Sequence, residues 1–276
     1  MNEQRCPAAA APGASGARRP GITMLAVCNL LLAMAAQVAG VPCASADESH
    51  AAGRTEYRAA RAPAAPVIDG VAAEATWDSA RWQQIDQLWL GPEYPDSDFQ
   101  GRFKVVWTPE RIYLLVELVD DILFDSHRDP LVQYWDDDCL EIFVDEDFSG
   151  GDHQYNHNAF AYHVSLDNQV IDIGTDSQPR NYSDHVESRW KQRGNTIVWE
   201  LAIDIHSDQY EDGSSVNKPV RLSAGKVIGL MLAYCDNDGS ALRENFVGSE
   251  AVTFGKKDRG WIDAGLFGKL LLETSP

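Results

Sequence analysis

Cysteine, methionine and basic residues are all scarce in this chain, and each scarcity narrows what it does. Of 276 residues, five are cysteine and four methionine. Cys6, Cys28 and Cys43 lie near the amino terminus, so Cys139 and Cys235 form the single pair in the body of the chain. That is too few for a disulfide scaffold or a four-thiolate zinc site. Lysine and arginine number 23 against 42 aspartates and glutamates, a formal net charge of −19. A surface of that sign repels nucleic-acid phosphates and anionic lipid, which argues against both as partners and leaves neutral sugars, peptides, cations and basic partners. The sequence also lacks a Gly-x-Ser-x-Gly elbow, a phosphate-binding glycine loop and a zinc-protease helix.

One long hydrophobic run is present. Arg18 and Arg19 precede an apolar stretch from Ile22 to about Gly40, and Ala44-Ser45-Ala46 then supplies the small residues of a cleavage site. This reads as a secretory signal over residues 1–46, and the absence of stop-transfer charges favours cleavage over anchoring. The expected location is periplasmic or secreted. Residues 47–65, rich in Ala, Arg, Glu and Pro, are expected to form a flexible leader. A single domain is expected over residues 66–276.

In that domain, period-2 alternation dominates. Phe103–Trp107 and Ile112–Leu118 flank the turn Thr108-Pro109-Glu110-Arg111 and predict a hairpin. Ile197, Trp199, Leu201, Ile203 and Ile205 alternate with Thr196, Val198, Glu200, Ala202 and Asp204. Pro66–Gly70 predicts a short edge strand, and Trp77 and Trp82 are expected to pack inward. In all, about ten strands with one or two short helices predict an all-β, antiparallel β-sandwich of the jelly-roll or immunoglobulin-like kind.

The most informative stretch runs from Trp135 through Asp136-Asp137-Asp138 into Cys139-Leu140-Glu141-Ile142-Phe143-Val144. Alternation places Leu140, Ile142 and Val144 on one face and Cys139, Glu141 and Phe143 on the other. A core strand with an acidic cap fits this pattern. So does a recognition site for a polyhydroxylated ligand, in which an indole offers a flat apolar platform and a carboxylate accepts from hydroxyls.

The order of motifs decides between these readings. Val67-Ile68-Asp69-Gly70, Glu74-Ala75-Thr76-Trp77, the hairpin, the stretch from Trp135 to Phe143, Asp236-Asn237-Asp238-Gly239, and Trp261 before Gly265-Leu266-Phe267-Gly268 together resemble the family 9 carbohydrate-binding modules. The resemblance covers roughly Ala64 to Glu273. It implies a β-sandwich related to the DOMON group that holds a glycan or oligosaccharide end between two tryptophans, with calcium nearby. Carried onto this sequence, Trp135 and Trp261 are the walls and Glu141 the hydroxyl-bonding carboxylate, with His163 or Arg243 as a basic neighbour. Asp136, Asp137, Asp236 and Asp238 become candidate calcium ligands, although Asp236–Gly239 is too short for an EF-hand loop. Cys139, where a smaller residue is expected, is a disulfide candidate with Cys235.

Three further readings of the sequence compete with non-catalytic sugar binding. Haem b electron transfer is one, with Met231 and the histidines as axial ligands. Glycoside hydrolysis by Asp138 and Glu141 is another. A zinc site at His153 and His157 is the third, but Gly150-Gly151 before them indicates a loop, on which that spacing does not place two rings on one face.

Overall fold

Alternation in the sequence becomes two facing sheets. The first is built from β10 (Val186–Arg193), β11 (Thr196–Ile203), β5 (Ile112–Asp120) and β4 (Phe99–Trp107), with β2 (Gln83–Ile85) on the β4 edge. The second runs through β14 (Gly268–Leu272), β12 (Val227–Asp236), β6 (Cys139–Asp145), β7 (Phe160–Ser165), β8 (Val170–Ile173) and β9 (Pro179–Asn181). The end of β12 also carries β13 (Asn245–Gly248), beyond which lies β3 (Gln87–Leu90). This arrangement comes from a computed structural model that describes residues 54–253 and 255–274. The secretory signal expected over residues 1–46 lies outside them.

The chain is therefore nearly all β, as its alternation indicates, but two expectations need correcting. Fourteen strands are described rather than about ten, because short pieces such as β2, β3 and β9 carry too few residues to show a period. The expected leader over residues 47–65 contains β1 (Glu56–Arg61), and this strand is parallel to its neighbours. Glu56–Ala59 pairs with Lys269–Leu272 of the second sheet, and Ala60–Arg61 then pairs with Val106–Trp107 of the first. Tyr57 and Ala59 are buried in the core, but a strand of one aromatic among alanines and charges gives almost no hydrophobic signal. Distant strands supply its hydrogen bonds.

Between the sheets lies the main core. Ile197, Trp199, Leu201 and Ile203 from β11 meet Leu140, Ile142 and Val144 from β6 and Leu230, Leu232 and Tyr234 from β12. Fully burying one such side chain stabilises by roughly 1.5–3 kcal/mol, so this layer holds the two sheets together. Both sheets also have covered outer faces. On the first, Val106, Tyr113, Leu115, Val198 and Ala202 lie under Trp77 and Ala80. On the second, Cys139, Phe143, Ala161, Met231, Ala233 and Cys235 lie under Trp89, Phe246 and Phe267.

Trp77 is buried, as expected, whereas Trp82 stays partly open under the side chains of Arg102 and Lys104. Pro66–Gly70 forms no strand. Its backbone instead wraps the Glu200 side chain: the N–H groups of Asp69, Gly70 and Val71 donate to Oε2 at 3.2, 2.9 and 3.2 Å, and Trp77 Nε1 donates to Oε1 at 3.1 Å. Gly70 is required there, since its φ is +74° and a Cβ would sit 2.7 Å from the backbone of Trp190.

Candidate functional site

The outer face of the second sheet is covered incompletely, and the gap is a cavity of about 230 Å³. Register explains its floor. Glu141 on β6 stands directly opposite His163 on β7 and Ala233 on β12, so carboxylate and imidazole emerge side by side from a rigid ladder. His163 Nε2 lies 3.1 Å from Glu141 Oε1. Arg243 descends from the turn between β12 and β13, with Nη1 3.3 Å from the same oxygen. The Cys235 thiol donates to it as well, at 3.0 Å. Among the described residues all three contacts fall on Oε1, so Oε2 is the oxygen left for a ligand.

Electrostatics fixes the charge of this floor. Burial alone would lower the His163 pKa, but the adjoining Glu141 carboxylate outweighs it and pushes the pKa up to about 9. Burial likewise favours the neutral form of Glu141, yet His163 and Arg243 hold its carboxyl below the ordinary glutamate value. At neutral pH the pair is imidazolium and carboxylate. Both ring nitrogens of His163 are then donors, Nδ1 to the Ala161 carbonyl at 3.0 Å and Nε2 to Glu141. The ring therefore holds Glu141 in place and has no donor left over for a ligand. Arg243 is similarly engaged: Nη2 reaches Asp258 Oδ1 at 2.9 Å, and the guanidinium lies 4.0 Å from the Phe246 ring centre.

The walls come from loops. Trp135 is 39% exposed at the mouth, braced edge-on by Tyr134 at 4.8 Å, and Tyr134 in turn stands edge-on to His163 at 4.7 Å. Trp261 lines the other part of the cavity. Its segment is pinned by His153, whose backbone N–H donates to the Ile262 carbonyl at 2.9 Å and whose Nε2 meets the Gly260 carbonyl at 2.7 Å. Gly260 is needed at the floor, because a Cβ there would fall 2.7 Å from Phe143 and 2.8 Å from Met231.

Five residues singled out in the sequence, Trp135, Glu141, His163, Arg243 and Trp261, thus line one cavity. Phe143 was legible as lying on the same face of β6 as Glu141. Tyr134, Asp172, Phe246, Asp258 and Gly260 also line it, and no sequence pattern pointed to them. Asp138 is not among the lining residues. Its carboxylate accepts from the N–H groups of Phe124 and Asn237 at 2.7 and 2.8 Å. Met231, the haem-ligand candidate, is packed into the floor. His153 serves the Trp261 loop, while His157 is stacked on Phe160, so the two rings do not form a zinc site. Cys139 and Cys235, the disulfide candidates, face each other in register and are free thiols. The Cys235 hydrogen is instead given to Glu141.

A second cluster of acidic side chains gathers at the loop end of β5 and β12. Carboxylate oxygens of Asp120, Asp236 and Asp238 lie within 4.8 Å of one another, and Asp98 and Asp121 make a similar group with Asp238. Asp236 is 3% exposed and its carboxylate has no hydrogen-bond partner among the described residues. Burial, together with the neighbouring Asp120, Asp98 and Asp238, pushes its pKa up to about 8. Oδ1 of Asp238 is also buried without a partner. The other two calcium candidates are otherwise engaged. Asp137 accepts from Ser126 N, Ser126 Oγ and His127 N at 2.9, 2.8 and 2.7 Å, and Asp136 from Gln133 and the Arg243 backbone at 3.1 and 3.3 Å. They order the loop that carries Trp135.

Fold and pocket together define the class: a β-sandwich whose open chemistry sits in an aromatic-walled recess on the outer face of one sheet. The family follows from the sequence. Residues 68–275 match the family described as carbohydrate family 9 binding domain-like, and the chain belongs to it. A family 9 carbohydrate-binding module from Caldicellulosiruptor kristjanssonii, solved with cellotriose and with glucose, has the same fold at a TM-score of 0.60 and 19% identity in both cases. These alignments cover 80% of this chain and 95% and 97% of the other. No curated protein matches the chain.

Proposed function

We propose that this protein binds carbohydrate without transforming it, holding a glycan end between Trp135 and Trp261 while Glu141 accepts hydrogen bonds from hydroxyls. One observation carries this reading: side chains from separate segments converge on a single recess with a fixed, ionised carboxylate at its floor and indoles in its walls. Pyranose C–H faces lie against indoles and remove apolar area from water at about 25 cal/mol per Å². Oε2 of Glu141 supplies the directional contact, and His163 and Arg243 keep that carboxylate charged. The cellotriose and glucose bound by the Caldicellulosiruptor module support the same ligand class. Calorimetric titration with glucose and with cello- and xylo-oligosaccharides tests the reading. Saturable binding that Trp135→Ala weakens is expected, and no heat across the panel would overturn it.

The acidic cluster supports a structural role for calcium. A buried aspartate without a donor, amid other carboxylates, is the all-oxygen donor set that a hard divalent cation takes. Asp120, Asp236 and Asp238 would hold it, with Asp98 and Asp121 beside them. Bound there, calcium would neutralise their mutual repulsion. The amino-terminal segment supports export to the periplasm or the medium, and amino-terminal sequencing of the mature protein beginning at Asp47 checks it.

A further inference from the structure

The carbohydrate reading leaves two buried thiols under the pocket without a role. Cys139 and Cys235 are directly opposite each other on adjacent antiparallel strands, and both side chains point to the pocket face. Opposed residues in such a ladder have Cα atoms about 4.5–5.5 Å apart, inside the range a disulfide spans. The two sulfurs and a Glu141 oxygen lie within 4.8 Å of one another.

Their hydrogen bonding is not symmetric. Cys235 donates its S–H to Glu141 Oε1 at 3.0 Å and accepts from Arg243 Nη1 at 3.1 Å. It therefore holds the carboxylate and the guanidinium in one geometry. Cys139 lines a second, smaller cavity of about 30 Å³, with Tyr134 and His163 between it and the ligand recess. That cavity has room for a water-sized reagent and for no protein oxidant.

We propose that Cys235 is a positioning residue for the ligand-binding carboxylate, and that oxidation of the Cys139–Cys235 pair to a cross-strand disulfide weakens ligand binding. This rests on the reading of the recess as the ligand site. A small peroxide is the oxidant. It transfers one oxygen to the Cys139 sulfur, giving a sulfenic acid and one water. The Cys235 sulfur then displaces that oxygen as a second water, and the S–S bond forms. Two thiols are oxidised, one peroxide is reduced, and both S–H hydrogens leave in water. Glu141 Oε1 loses a donor and turns toward His163 and Arg243, carrying Oε2 away from the ligand.

The test compares the protein reduced by a phosphine with the same protein treated with hydrogen peroxide. Mass spectrometry counts the thiols, calorimetry with cellotriose measures affinity, and proton–nitrogen NMR follows the His163 ring titration. The expected result is loss of two hydrogens from the protein mass, a three- to tenfold weaker affinity and an upward move of the His163 titration. Cys139→Ser removes the disulfide and leaves Cys235 its bonds to Glu141 and Arg243, so it should bind like the reduced wild type in either condition. Two thiols surviving peroxide would overturn the proposal. So would a proven disulfide that leaves both affinity and the His163 titration unchanged. Should the reduced protein bind no sugar at all, the carbohydrate reading falls by itself. The His163 titration, which needs no ligand, still decides whether the thiol pair governs Glu141.

Discussion

Two glutamates, Glu141 and Glu200, occupy equivalent places in the two sheets. Each interrupts the apolar run of a central strand, points to that sheet's outer face and is almost wholly buried, at 2% and 0% exposure. Their partners differ. Glu200 has donors on both oxygens, three backbone N–H groups and an indole, and the segment from Pro66 to Ala80 is folded over it. Glu141 receives everything on one oxygen and stands at the bottom of an open recess. Saturation of the acceptor, rather than burial or sequence context, separates a carboxylate that holds the fold together from one available to a ligand.

The largest test of that contrast is Glu200→Ala. It strands four donors at once, and a loss of about 3–5 kcal/mol in unfolding free energy is expected in denaturant melts, with sugar affinity unchanged within twofold in whatever fraction stays folded. An affinity loss instead would mean that the two outer faces are coupled. Glu141→Gln should do the reverse. We expect at least tenfold weaker oligosaccharide binding, about 1.4 kcal/mol, with a smaller loss of stability because the amide still meets Arg243 and Cys235. Next in size is metal removal: chelator should lower the melting temperature by several degrees, and Asp236→Asn should abolish that shift. Identical melts with and without chelator would remove calcium from the account. Trp135→Ala should weaken binding yet change stability by less than about 0.5 kcal/mol, because the ring is already 39% exposed.

The remaining test is the pH dependence. The His163 pKa is raised to about 9 in the folded protein, so its contribution to stability is complete below its unfolded value near 6.5 and is lost as pH climbs through 9. His185 behaves oppositely. Buried against His206, whose ring centre is 4.1 Å away, it is pushed down to about 3, and stability falls as pH drops below 6.5 toward that value. A stability maximum between these limits should appear in melts across the pH range. Converting His163 to Gln should flatten the alkaline side alone.

Much of the fold was legible because period 2 repeats along β4, β6, β7 and β11, each long enough to show which face turns inward. β1 was not, since alanines carry little hydrophobic signal and its parallel partners are remote in sequence. In the recess, Trp135 and Glu141 were legible from one stretch, and Phe143 follows by parity. Asp172, Phe246 and Asp258 gave no signal, because nothing local marks a residue whose role depends on a loop returning from elsewhere. The same holds for the acidic residues. Asp136 and Asp137 looked equal to Asp236 and Asp238 as ligands, and only the N–H groups of Ser126, His127 and Arg243 distinguish them.

The sequence by itself determined the sandwich class, the inward face of the alternating strands, and the type of site: an indole and a carboxylate close together on an acidic protein. Alternation and composition are local properties, so they can be read locally. Tertiary structure decided which carboxylates are satisfied and which are open, and that the two cysteines meet in register without bonding. Those outcomes depend on donors brought from distant segments, and the identity of a residue does not fix how many of its hydrogen bonds the fold fills.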